Sequence, residues 1–449
     1  MRAFLALIAL AACGDNTRYA YDDLVDVSGY SPYDYGCGDA PSANNTPFPG
    51  LEVEPSLAAD PTNDAHLVGA WQANRWSSGG SDGTEAAVSF DAGKTWTRTL
   101  PKLSRCAGGD YSRASDPWVS IGGDGTTYVA SIAFDSSTSR SAVLAASSND
   151  GGKTWGEPAV LIEDDDPTAF NDKDSITADP VRPGRAYAVW DRLSGQSDPS
   201  TSRGPAMLAR ATGGAWEPAR AIFDPGADAQ TLGNVIAVLA DGTLVDSTTV
   251  ITMESSNTPL SDVQVVRSSD GGDTWSAPIE VGANTALGVP NIRTGAGLPQ
   301  IAADPTTGAI YIAWENDTAP TPGHDGIVVA HSTDGGLTWS APIQANGAPD
   351  APAFTPQIAV ASDGTVGVFY YDLRADGRAT AWLATSHDGG VTWSDEQLSG
   401  AFDQTIANVG ADGAFLGDYE GLAARGTDLV PLFAIAFVPE DPTDIFVRP

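Results

Sequence analysis

A turn signature of eight residues recurs along this chain, and a repeat of near-constant length constrains a fold more than any single motif. Ser332 to Trp339 reads Ser-Thr-Asp-Gly-Gly-Leu-Thr-Trp, and close copies run Ser89 to Trp96, Ser148 to Trp155, Ser268 to Trp275 and Ser386 to Trp393. A worn copy ends at Trp216, with Gly213 kept and Ala211 where the acid should be. The six tryptophans are 59, 61, 59, 64 and 54 residues apart, so the chain is an array of like units. Glycine supplies positive φ at little cost, and a short Asp accepts from nearby main-chain N–H groups. Ser and Thr hydroxyls add to that local network, and Trp offers a wide apolar face. Asp91, Asp150, Asp270, Asp334 and Asp388, with Trp96, Trp155, Trp275, Trp339 and Trp393, are therefore expected to hold the fold rather than to do chemistry.

Upstream of each box lies a second pattern, clearest at Pro299 to Trp314. A run through Ile301-Ala302-Ala303-Asp304-Pro305 is followed by a turn at Thr306-Thr307-Gly308, then Ile310-Tyr311-Ile312-Ala313-Trp314. Next come Ile327 to Ala330, the box and a last strand near Ile343. Short runs rich in Val, Ile, Tyr and Trp between Gly, Pro and Asp read as strands, and four per unit make a propeller blade. First strands begin near Pro55, Asp116, Asp172, Gly233, Pro299, Pro356 and Gly417, which gives an all-β propeller of seven four-stranded blades over 51–449. The last unit lacks a box and a fourth strand, so a strand from before Glu54 would close the ring. Six blades is the alternative.

The pattern Ser-x-Asp-x-Gly-x-Thr-Trp resembles the Asp-box, or bacterial neuraminidase repeat, of the sialidase-like propellers. That resemblance implies boxes on the face away from the active site. It also implies a substrate carboxylate held by three arginines, a Tyr–Glu nucleophile and base, and an Asp acid/base. By position, Tyr419 matches the tyrosine, Arg75 one arginine, and Asp82 lies where the acid/base would be sought; Glu254 is a candidate partner of the tyrosine. The family's Arg-Ile-Pro falls here on Val53-Glu54-Pro55, so the leading arginine is missing.

Loops on the face opposite the boxes are polar in a repeated way. Arg192, Arg293 and Arg374 could supply the other guanidinium groups, which grip carboxylates in bidentate fashion. Asp191, Glu315, Asp372 and Glu420 could bind sugar hydroxyls, although strand ends are polar simply because they meet water. Two functions follow: an exo-acting glycosidase of sialidase type, or a propeller that binds a glycan or protein without turnover. No cofactor is implied. A hard cation such as calcium held by mouth carboxylates is a third reading, and the four histidines show no zinc spacing.

Met1 to Ala12 is an apolar export signal ending in Leu-Ala-Ala-Cys, which resembles a lipobox and implies acylation of Cys13. Residues 13–50, rich in Asp and Tyr, read as a tether with room for one closing strand around Leu24 to Val27. Cys37 and Cys106 remain, and an even remainder in an exported protein suggests a disulfide. A formal charge of -35 repels nucleic acid and serves solubility. The membrane is touched through the lipid alone, at an outer membrane or cell surface, and the chain is expected to be monomeric.

Overall fold

The computed structural model describes residues 23–34, 36–42, 45–195, 202–253, 259–317, 323–410 and 413–449. The export signal, Cys13 and Glu254 lie outside them. Among the described residues the fold is all-β, with two short 3-10 turns at Arg105–Ala107 and Gln404–Ala407.

The strands form antiparallel quartets, each a repetition of the unit seen in the sequence. The first is Val53–Asp60, Asn63–Arg75, Ser81–Ser89 and Thr97–Thr99. Its successors begin with Arg113–Ile121, Ala169–Ala178, Ala229–Val238, Gln300–Ala303, Ala353–Val360 and Gly421–Arg425. These seven first strands touch one another in chain order, and the last returns to the first. Hydrogen bonds stitch neighbours together: Val119 N donates to Ser56 Oγ (3.1 Å), Ala178 N to Ser120 Oγ (2.9 Å) and Ser175 Oγ to the Asn234 carbonyl (2.7 Å). Together the first strands line a central channel of about 270 Å³. Apolar side chains from facing sheets fill the space between units, such as Val68, Val88, Val119 and Val129 between the first two.

The last unit borrows its outer strand from the N-terminal segment. Val25–Asp26 pairs antiparallel with Asp441–Val447, Val25 opposite Val447. From there the segment read as a tether stays packed. Tyr33 is buried with its hydroxyl on the Thr84 carbonyl (2.8 Å), and Arg113 holds Asp39 at 3.1 Å. Cys37 and Cys106 are joined by a disulfide, with Cα atoms 5.3 Å apart.

All five good boxes share one geometry. The Ser hydroxyl donates to one carboxylate oxygen (2.7–2.9 Å) and accepts from the second Gly N–H (2.8–2.9 Å). The Thr hydroxyl donates to the other oxygen at 2.6–2.7 Å. Those hydroxyls and the adjacent N–H groups hold Asp91, Asp150 and Asp388 down to about 2. The box tryptophans are half-buried, unlike Trp71, Trp190 and Trp314 of the second strands, which are fully enclosed. Because strands alternate in direction, boxes placed after third strands lie at the end opposite the starts of the first strands.

Candidate functional site

Most first strands begin with the same backbone fault. The pairing register slips between Val53 and Ser56, Ser115 and Trp118, Asp172 and Ser175, Leu232 and Val235, and Phe354 and Gln357. Within each slip one residue takes positive φ: Glu54 (57°), Asp116 (54°), Lys173 (51°), Gly233 (72°) and Thr355 (52°). Such bulges re-aim a side chain, and the left-handed conformation is costly for any residue but glycine. Carboxylates of the preceding unit hold two of these bulges in place. Asp191 accepts from Gly233 N (2.9 Å), and Glu315 accepts from Thr355 N (2.8 Å).

The first three bulges, with the turn before the last unit, bring opposite charges to the axis. Lys173 Nζ lies 2.5 Å from Asp418, 3.2 Å from Asp116 and 3.8 Å from Glu54. Arg293 grips Asp418 with Nε (3.0 Å) and a terminal nitrogen. Its place comes from a short parallel pairing, Ile292 with Ala414 and Arg293 with Phe415. Arg75 donates to Gln72 Oε1 at 2.8 Å, and Gln72 in turn donates to Glu54. The Arg75 and Arg293 guanidinium groups lie 4.8 and 4.5 Å from the centre of the Phe415 ring.

Burial pushes Glu54 up to about 8; Asp116 and Asp418 add to the rise while Lys173 and Arg75 oppose it. Burial works against Asp418 too, but Lys173 and Arg293 outweigh it and hold that carboxyl well below the usual range. Adjacent carboxyl groups are thus driven apart, one protonated and one ionised at neutral pH. Lys173 and Arg293 are thus already paired with Asp418, whereas the buried Arg75 holds only Gln72 and keeps its Nε without a partner among the described residues. Glu54 is fully buried, and of these three cations only Arg293 is substantially open, its side chain 31% exposed.

The other expected site residues are distributed differently. Tyr419 is 2% exposed, packs its ring 4.9 Å from Trp118 and donates its hydroxyl to the Pro117 carbonyl (2.9 Å). Asp82 accepts from Trp76 Nε1 (2.8 Å) and Asn74 (3.0 Å), away from the axial cluster. Arg192 is paired with Asp164 at 2.7 Å. Arg374 is bound to Asp372 and Asp395 and stacks 3.6 Å over Trp382. Glu420 is buried and accepts from Ala434 N (3.1 Å); burial pushes it well up. Burial likewise raises Asp191 to about 7 and Glu315 to about 8. Of the residues expected at the site, the axis brings together Arg75 and Arg293; Glu54, Asp116, Lys173, Asp418 and Phe415 complete the cluster. Among the described residues, the ligand atoms close enough for a metal are those of Cys37, Cys106 and Asp82, where the disulfide uses both sulfurs.

Residues 255–409 match the sequence model of the BNR repeat-like domain. A sialidase of Bacteroides fragilis is 32% identical over 155 residues, which span 29% of this chain and 28% of the length of that protein. Among solved structures, an α-L-arabinofuranosidase of Fusarium graminearum in complex with an iminosugar inhibitor superposes with a TM-score of 0.52. The match is 13% identical and covers 81% of this chain and 97% of that one. An α-L-arabinanase of Penicillium chrysogenum complexed with arabinobiose gives 0.51 at 15% identity, over 77% of this chain and 98% of that one. These are likenesses of fold, and the fold is that of propeller-type glycoside hydrolases.

Proposed function

We propose that this chain is an exported, lipid-anchored propeller of seven blades that recognises glycans on its mouth face, and that it prefers neutral sugars to acidic ones. One observation carries the preference. Arg293 and Lys173, the cations that a sugar carboxylate would seek, are already bound to Asp418 at the axis. A sialic acid would have to displace a buried internal carboxylate to be held there, at the cost of stripping that charge of its partners. The closed ring of seven is supported by the cyclic order of first-strand contacts and by the outer strand borrowed from Val25–Asp26.

Hydrolysis is a second reading, favoured by the contrast between Glu54 and Asp418. A carboxyl held protonated to about 8 beside one kept ionised is the arrangement that an acid/base pair requires. Glu54 would then be the proton donor and Asp418 the stabilising carboxylate.

Glycan-array binding of the soluble chain from Tyr19 onward, with turnover of fluorogenic glycosides including a sialoside, tests both readings. Binding to neutral glycans without turnover is the expected outcome. Recognition confined to sialosides would overturn the preference, and one clear hydrolysed substrate would establish the second reading. Anchoring is tested separately: Cys13→Ser should leave the precursor unprocessed, and normal cleavage and release would sink it.

A further inference from the structure

The axis is not where the mouth face is open. A cleft of about 550 Å³ lies to one side, between the second and third units and the N-terminal segment. That volume falls within the range of small-molecule sites, roughly 300–1,000 Å³. We propose that this groove is the saccharide-binding subsite of the protein and that it takes the end of a neutral oligosaccharide. The inference rests on the glycan-recognition reading above and moves its location off the axis.

The floor is aromatic. Phe134, at the end of a second strand, meets Phe170, at the start of the next first strand, edge to face with centroids 5.7 Å apart. Both rings are half-buried, so each keeps a surface toward the groove. Gly80 makes the arrangement possible: a Cβ there would come within 2.8 Å of the Phe134 ring. An apolar ring face suits the C–H face of a pyranose or furanose, whereas an anion gains nothing from it.

Beside that floor stands a polar group with nothing to bind. Ser141 lines the groove, is 2% exposed and has a hydroxyl with no hydrogen-bond partner among the described residues. A buried orphan hydroxyl costs stability unless a ligand or water completes it. A sugar hydroxyl can both donate to it and accept from it. The rim adds Thr138 and Ser78, both exposed, and Asn45, which Arg113 fixes at 2.9 Å.

Charge at the groove is already spent within the protein. Arg140 pairs with Glu163 at 2.9 Å and Asp135 at 3.7 Å, and Asp166 accepts from Thr168 N at 2.9 Å. Among the described residues the site therefore offers hydroxyl and aromatic contacts without a free cation for a carboxylate. Its outer wall is the N-terminal segment, which the Cys37–Cys106 disulfide fastens to the body.

The test uses the full chain, calorimetric titration with arabinobiose, xylobiose, cellobiose and lactose, and three variants checked for native melting. Thr138→Trp fills the groove from an exposed turn, Ser141→Ala removes the buried hydroxyl, and Leu337→Ala alters an exposed side chain at the box end. At least one disaccharide should bind the wild type and be lost on Thr138→Trp. Ser141→Ala should weaken it roughly 3–10-fold, the share of one hydrogen bond, and Leu337→Ala should change it by less than about twofold. Binding that survives Thr138→Trp would overturn the groove but keep glycan recognition. Binding of none of the four sugars would overturn both.

Discussion

At the box end, Asp334 sits on the surface and takes four bonds from its own turn, through Ser332, Leu337 and the N–H and hydroxyl of Thr338. At the mouth, Asp418 is buried and takes its partners from Arg293 and Lys173, 125 and 245 residues away. Both carboxyls are held low, yet for different reasons. The first is a local network that each unit can form alone, so it repeats. The second exists only once the units have met, so it occurs once. A fold can copy its fasteners along the chain, but a site at the axis must be assembled from single contributions.

Lys173→Met is the strongest way to break this contrast. It strands Glu54, Asp116 and Asp418 without their shared cation, and removing one partner of a buried ionic cluster typically costs about 3–5 kcal/mol. Urea denaturation measures it; a loss below about 1 kcal/mol would show that the cluster is solvated and contributes little.

Trp339→Ala tests the other end. Because Trp339 is half-buried, the loss should be about 2–3 kcal/mol, below that of a fully enclosed aromatic. Sugar binding per folded molecule should stay the same. Wild-type melting with lost binding would mean that the boxes face the ligand.

The two ends should also titrate in opposite senses. Asp91, Asp150 and Asp388 have folded values lowered to about 2, so their stabilisation is present above the unfolded value and is lost as pH falls from about 4 toward 2. Glu54 has its folded value raised to about 8. The folded state then holds the proton more tightly, so its contribution is full below about 4.5 and is lost as pH rises toward 8. Stability should fall as pH rises from 5 to 8, and Glu54→Gln should flatten that slope. A slope unchanged in that variant would put the titration on another buried acid, with Glu315 the next to replace.

The smallest effect is expected at Tyr419→Phe. It removes one hydrogen bond, to the Pro117 carbonyl, and should cost about 1 kcal/mol with ligand binding intact. A variant that melts normally but loses turnover of a substrate would instead make Tyr419 the nucleophile that the family resemblance implies.

The repeat alone determined much of this protein. Boxes, strand order within a unit and the closing strand near Val25 are local or periodic, so they are legible in a string of residues. The missing arginine at Val53 was equally visible. The role of the next residue was not, because the meaning of Glu54 depends on Lys173 and on Asp418, 364 positions away, and on a bulge that turns it to the axis. Arg192 and Arg374 looked equivalent to Arg293 in sequence; Arg192 is taken by a carboxylate of the preceding unit and Arg374 by carboxylates of its own, while the short parallel pairing carries Arg293 across to Phe415. The groove is more tertiary still, since Ser141, Phe134, Phe170 and Asn45 share no motif and meet only when two sheets and the N-terminal segment close together. Local hydrogen bonds are written in adjacent residues; the place where charges and rings converge is decided by how the sheets pack.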